Sequence, residues 1–126
     1  MSRSPRLLAA FFTFAGTMHF VRPQAYEAIV PDYIPIEAPE AVRWSGYAEI
    51  AGGLAAAAPV TRGLARWLLI GVLIAIFPAN VHMALEPEQV AARGVPVDRL
   101  PRWLLWARLP LQPLLVRWAW RATARR

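Results

Sequence analysis

The stretch AVRWSGYAEIAGGLAAAAPV, residues 41–60, decides the fold of this chain: it is an apolar run of membrane-spanning length with one carboxylate, Glu49, near its middle. About 20 apolar residues are what a helix needs to cross a bilayer. At helical spacing Ser45, Glu49, Gly52 and Ala56 share one face, which sets the acid among small residues that let a second helix approach closely. A carboxylate at such a depth is costly unless it is paired, so Glu49 marks a face turned into a bundle and a candidate site.

Working outward from it, three more apolar segments follow the same logic. The expected spans are residues 7–21, 41–58, 64–85 and 101–120. The chain is 57% hydrophobic and 17% charged over 126 residues, with a mean hydropathy of +0.35. That leaves too little polar sequence to coat a soluble core. The expectation is one all-α domain over residues 1–126, an integral membrane four-helix bundle. A secretory signal peptide is the rival for the first segment, which follows Ser2-Arg3-Ser4-Pro5-Arg6. It lacks a small-x-small cleavage site before a polar mature sequence, which favours a retained span.

The connections are distinct in character. Residues 22–40 carry Pro23, Pro31, Pro35 and Pro39 with Tyr26, Tyr33, Ile34 and Ile36, too many prolines for a long helix. They predict a Pro-rich outer cap between helices 1 and 2, with a short helix around Gln24–Val30. Residues 86–100 predict a polar outer loop. Trp103 and Trp106 at one end of the fourth span, with Trp118 and Trp120 at the other, resemble interfacial belts. Pro78 lies inside the third span and frees a carbonyl near Ile74 for a neighbouring polar group.

Charge fixes orientation. Of the eight acids, seven fall in the two outer connections, and only Glu49 is inside a span. All fourteen cations are arginine. Arg3, Arg6, Arg62, Arg66, Arg117, Arg121, Arg125 and Arg126 fall on one side, against Arg22, Arg43, Arg93, Arg99 and Arg102 on the other. This asymmetry puts both termini in the cytoplasm of a multi-pass protein of the bacterial cytoplasmic membrane, the arginine-and-alanine bias suiting a GC-rich genome. The arginines punctuate apolar segments and do not cluster on a soluble fold, which argues against nucleic acid. The lack of cysteine excludes disulfides, thiolate chemistry and Cys-held iron-sulfur or c-type haem groups on this chain.

Depth brings the polar residues together. Alternating span direction puts His19 near the outer end of span one, Glu49 about 12 Å inward along span two, Asn80 and His82 near the outer end of span three, and Arg108 a third of the way down span four. With Ser45 and Gln112 these form a candidate polar pocket of seven residues: His19, Ser45, Glu49, Asn80, His82, Arg108 and Gln112. Arg108 is the expected partner of Glu49, either as an ion pair that fixes helix register or as part of a working site. The two histidines suit the wet edge of a membrane. Haem ligation would need them on facing positions, and His19, His82 and Glu49 have no metal-ligand spacing, so no metal site is assigned.

His19-Phe20 before Pro23, Val30-Pro31 with Ile34-Pro35, Ser45-Gly46 with Glu49, Phe77-Pro78-Ala79-Asn80 with His82-Met83, and Arg108-Leu109-Pro110-Leu111-Gln112 together resemble the DoxX family of small bacterial membrane proteins. The resemblance runs from about Leu7 to Trp120. It implies four helices and, by analogy with some relatives, redox work as a small subunit of a thiosulfate:quinone oxidoreductase or beside disulfide and superoxide systems. A distant eukaryotic branch is similar to receptor-assembly chaperones. The roles given to Glu49 and Arg108 come from their chemistry and are not carried over from the family.

The expected function is therefore a redox-associated accessory subunit, not a stand-alone catalyst, whose outer-half pocket holds a quinone. Glu49 or a histidine would pass protons and Arg108 would stabilise the reduced anion. The expected partners are the bilayer and a membrane or peripheral protein, an oxidoreductase among them, or a second copy in a homo-oligomer. The alternative is a membrane-protein assembly factor that grips a partner helix with the small-residue face and uses the cluster for its own fold. A transporter ranks below both, because the two halves show no repeat.

Overall fold

The structure, a computed structural model, describes residues 3–124 and the side chains of residues 5–124. Arg125, Arg126 and the side chain of Arg3, which enter the charge asymmetry, lie outside the described residues. The chain is all-helical, with no strand among the described residues: α1 (Arg3–Val21), α2 (Pro23–Glu27), α3 (Ala38–Ala56), α4 (Arg62–Leu85), α5 (Pro87–Ala92) and α6 (Arg102–Ala122), with 3-10 turns at Pro59–Thr61 and Val97–Arg99. The four long helices lie close to the four expected spans.

They pack in chain order, α1 on α3, α3 on α4, and α4 on α6. The α1–α3 seam is tight because both helices spend glycines on it. A Cβ on Gly16 would come within 2.8 Å of the Gly46 carbonyl oxygen, and one on Gly53 within 2.8 Å of the Thr13 backbone nitrogen. Only a residue without a Cβ lets two backbones approach so closely. The face of α3 that carries Glu49, Gly52 and Ala56 is buried, as its spacing predicts.

Two apolar cores lie at opposite ends of the bundle. The inner one joins all four long helices through Leu8, Phe12, Ala56, Leu69 and Ala119. The outer one joins α4 and α6 to the connections through Met83, Leu105, Ala28, Val90 and Val97. At the inner end two arginines serve as caps. Arg62 Nε donates to the Ala56 carbonyl at 3.1 Å, and Arg66 Nη2 donates to the Trp120 carbonyl at 2.8 Å with its guanidinium 3.8 Å from the Trp120 ring centroid. The last turns of α3 and α6 thus find donors for carbonyls that have no helical partner.

The connections differ in detail from expectation. The short cap helix starts at Pro23, a residue suited to the first helical position, and ends at Glu27 before the turns at residues 28–30. Residues 86–100 are not an open polar loop. They form α5 and a 3-10 turn and bury Pro87, Val90 and Val97, because those three apolar residues recur often enough to give the segment an inner face. Arg93 staples this segment to the cap, donating to the carbonyls of Ala28 at 3.0 Å and Val30 at 2.9 Å and to Asp32 Oδ1 at 2.8 Å.

Among the described residues, one helix is long and apolar enough to cross a membrane by length and composition, Pro59–Leu85, with a mean hydropathy of 2.1. Two of the other long helices carry more interruptions, Glu40, Arg43 and Glu49 in α3 and Arg102, Arg108, Gln112, Arg117 and Arg121 in α6, while α1 is shorter and begins with Arg3 and Arg6.

Candidate functional site

Glu49 is paired, but with His19 and not with the expected Arg108. His19 Nε2 lies 2.9 Å from Glu49 Oε2, with 6% and 5% of the two side chains exposed. The contact has ion-pair distance without hydrogen-bond alignment, and no donor points along a lone pair of that buried oxygen. The physical reason for the partner is the glycine seam. Gly16 and Gly46 draw α1 and α3 so close that His19, three residues after Gly16, meets the residue three after Gly46.

The other ring nitrogen of His19 is held on α3. Nδ1 lies 3.2 Å from the Val42 carbonyl and 3.1 Å from the Ser45 hydroxyl, whose oxygen in turn lies 3.1 Å from the same carbonyl. A protonated ring donates to Val42 from Nδ1 and presents its charge to Glu49 at ion-pair distance from Nε2. A neutral ring accepts the Ser45 O–H at Nδ1 and keeps its proton on Nε2. Both states are accommodated without moving the ring.

Tyr26 completes this group from the cap. Its ring stacks on the His19 imidazole with centroids 4.2 Å apart and planes at 29°. Burial raises the Tyr26 phenol above its ordinary value of 10.0, the negative charge of Glu49 raises it further, and the positive charge of Arg108 opposes them. Tyr26 thus feels both charges that sequence reasoning paired directly. Its role was missed because it reads as an interfacial aromatic. The available signal was Pro23, which turns the chain back over the end of α1 four residues after His19.

The remaining expected members form separate contacts. Asn80 Nδ2 donates to Gln112 Oε1 at 2.9 Å, and Gln112 Nε2 donates to the Leu73 carbonyl at 2.8 Å. That carbonyl is one residue before that of Ile74, which Pro78 deprives of its helical N–H donor, so Gln112 from α6 reaches the turn that the proline loosens without bonding the freed carbonyl itself. His82 Nδ1 donates to the Ile29 carbonyl at 3.1 Å, and its Nε2 meets Gln89 Oε1 at 2.5 Å. These ties bind α4 to the cap and to α5. Both histidines are therefore engaged with protein groups on both ring nitrogens. Arg108 is exposed, and among the described residues Nη1 reaches only the Met83 sulfur, at 3.6 Å.

The seven residues thus divide into a buried trio of His19, Ser45 and Glu49, an amide clamp of Asn80 and Gln112, a cap tie at His82, and a solitary guanidinium at Arg108. Neither the cap hollow nor the α4–α6 groove gathers them all. The α1–α3 seam is closed by the glycine contacts, and the larger open hollow, of about 510 Å³, lies in the cap among Glu27, Ile34, Glu37 and Arg93. A groove of about 220 Å³ between α4 and α6 is lined by Leu73, Ile74, Phe77, Gln112, Pro113 and Val116. Among the described residues, no group of three or more His, Asp or Glu side chains is placed to hold a metal ion.

The chain belongs to a family described as a domain of unknown function, DUF8561, whose model matches residues 8–123. No curated protein matches the chain. No solved structure matches it either.

Proposed function

We propose that this protein is a four-span membrane protein, similar to the DoxX family, that serves a redox partner as an accessory subunit with the His19–Glu49 pair as its proton-exchanging group. Four spans are supported by the outward faces of the long helices. Phe14, Trp44, Leu64, Trp67, Ile74 and Leu114 are exposed on them, so every long helix presents large apolar residues outward. Only 39% of the most apolar window, within Pro59–Leu85, is buried, whereas the core helix of a soluble domain would be mostly covered. The location proposed is the bacterial cytoplasmic membrane.

The observation that carries the function is the buried pair itself. An acid and an imidazole 2.9 Å apart, both almost fully enclosed, stand close enough for a proton to pass between His19 Nε2 and Glu49 Oε2 once the two are aligned. The carboxylate oxygen without an aligned donor is free to accept it. Ser45 and Val42 keep the ring in place in either state. Exchange runs toward the outer side, past Tyr26, because inward of the pair the seam continues as Gly53 on Thr13 and then the apolar inner core.

A quinone does not fit against the pair. Carbon and carbonyl atoms already stand within 3 Å of where a Cβ on Gly16 would be, which leaves no space for a ring between α1 and α3. Quinone chemistry, the uptake of two electrons and two protons, and the source of the electrons are accordingly assigned to the partner. The assembly-factor alternative loses its expected docking surface, since Gly52 packs on Leu69 and Gly53 on Thr13 within this chain.

The test is purification in native lipid of the wild type and the Glu49→Gln and His19→Gln variants, with mass spectrometry of co-purifying proteins and of the organic extract. We expect an oxidoreductase subunit with all three, and lower partner turnover in membranes of both variants at unchanged protein level. Stoichiometric quinone on the isolated chain that disappears in Glu49→Gln would refute the assignment to the partner. Unchanged turnover would make the pair structural.

A further inference from the structure

We infer that the proton exchanged by the His19–Glu49 pair enters and leaves at His19 Nδ1, and that Ser45 is the positioning residue whose hydroxyl turns onto that nitrogen when it is bare. The inference rests on the proton-exchanging role proposed above and names the atom and the neighbour through which that role works. The contact at Nε2 is enclosed, with the His19 and Glu49 side chains 6% and 5% exposed. Nδ1 lies on the other side of the ring beside Ser45, which is only partly buried and stands one turn outward of Glu49 on α3. A proton bound for the outer side leaves the pair most directly from there.

The partners around the ring decide which proton is lost. With the ring charged, Nδ1–H donates to the Val42 carbonyl at 3.2 Å and Nε2–H faces Glu49 Oε2 at 2.9 Å. The Ser45 hydroxyl then donates to the same Val42 carbonyl, at 3.1 Å. With the ring neutral and Glu49 ionised, the remaining proton belongs on Nε2. The opposite tautomer would set a nitrogen lone pair 2.9 Å from a buried carboxylate oxygen that has no aligned donor of its own. Nδ1 is then bare and 3.2 Å from a carbonyl oxygen, so that two acceptors face each other. Ser45 relieves this. Its oxygen lies 3.1 Å from Nδ1 and 3.1 Å from the Val42 carbonyl, and its hydrogen passes from one to the other by rotation about a single bond.

The step balances as a proton transfer. The Nδ1–H bond breaks, the proton goes to water on the outer side, and the electron pair stays on Nδ1, where it accepts the Ser45 O–H. No electron is exchanged, and uptake is the reverse. The Val42 carbonyl loses its side-chain donors and keeps its place in the hydrogen-bond ladder of α3. The titratable and charged groups around the ring are Glu49 on α3, Tyr26 on α2, stacked 4.2 Å from the imidazole, and Arg108 on α6, whose charge is felt at Tyr26. Replacing Ser45 removes none of them, so a comparison at this position isolates the hydroxyl.

The test is NMR of the imidazole nitrogens in isotope-labelled protein in lipid nanodiscs, across pH, for wild type, Ser45→Ala and Ser45→Thr. The chain has two histidines, and His19→Gln identifies the His19 signals by their loss. We expect the neutral wild-type ring to carry its proton on Nε2 with Nδ1 bare. In Ser45→Ala the ratio of neutral to charged ring at a given pH should fall roughly fivefold, the worth of one hydrogen bond to the neutral form, and Ser45→Thr should restore it. A neutral wild-type ring with its proton on Nδ1 overturns the inference, because the proton has then passed to Glu49 instead of leaving. So does a ratio that Ser45→Ala leaves unchanged, or a wild-type ring that stays charged wherever the protein is folded. The wild-type tautomer is read without any substitution, so the inference stays refutable if a variant unfolds. Partner turnover in Glu49→Gln is read separately: no change there, with the ring behaving as expected, refutes the redox role and keeps the exchange at Nδ1.

Discussion

Replacing Gly53 by alanine should separate α1 from α3, and the cost follows from distances. The new Cβ would stand 2.8 Å from the Thr13 backbone nitrogen, 3.0 Å from the Ala9 carbonyl oxygen and 2.6 Å from Thr13 Oγ1. The hydroxyl can rotate away, but the two backbone atoms move only with the helix. Ordinary contact begins at 3.4 Å, so the seam must open by about 0.6 Å at this level. Overpacking of that order costs about 1–3 kcal/mol. At roughly 4 °C per kcal/mol for a chain of this size, the unfolding midpoint in detergent should fall by roughly 4–12 °C. Gly71→Ala is the internal control, because nothing lies within 4 Å of its added methyl, and helix propensity should leave it neutral or stabilise it by up to about 1 kcal/mol. Thermal unfolding followed by circular dichroism would compare the two. If Gly53→Ala unfolds at the same temperature as Gly71→Ala, the α1–α3 seam is not closed by backbone contact and the packing that sets His19 against Glu49 is wrong.

The remaining predictions address the polar contacts. Glu49→Ala and His19→Ala should each destabilise by about 3–5 kcal/mol, and the double replacement by much less than their sum, since each single change strands a buried partner; additive losses in a double-mutant cycle would show that the two do not interact. Gln112→Leu leaves the Asn80 amide without its acceptor and removes the second donor to the Leu73 carbonyl, and should cost about 1–3 kcal/mol, with Asn80→Ala adding little to it; independent losses would contradict the clamp. Because Glu49 pushes the Tyr26 phenol up and Arg108 pulls it down, Glu49→Gln should lower its titration midpoint and Arg108→Gln should raise it. Phenolate absorbance, with Tyr26→Phe as the blank, reads both signs, and a shift in the same direction from both variants would place Tyr26 outside the field of one of them. Arg66→Met removes the donor to the Trp120 carbonyl and the stack on its ring, and should fray the end of α6, seen as faster amide exchange at residues 119–123.

By itself the sequence determined that the chain is helical, where its four long helices run, and which face of α3 is buried. Those properties are local. The 3.6-residue recurrence of Gly52, Ala56 and Glu49, the prolines that end and restart helices at Pro23, Pro39 and Pro87, and the apolar lengths between them act over a few turns of one segment. It also singled out Glu49 as a charge in need of a partner, and Pro78 as a source of an unanswered carbonyl. What only the tertiary structure decided is who answers. Arg108 was the expected partner of Glu49 because charge and depth are all that a single sequence offers for matching groups on different helices. The choice was made by Gly16, Gly46 and Gly53, whose missing Cβ atoms bring α1 within reach of α3 and put an imidazole where a guanidinium was expected. Arg108, the expected partner, is instead exposed and touches the Met83 sulfur. Which helices touch, and how closely, depends on packing between segments far apart in the chain. No residue type or spacing within one segment encodes that.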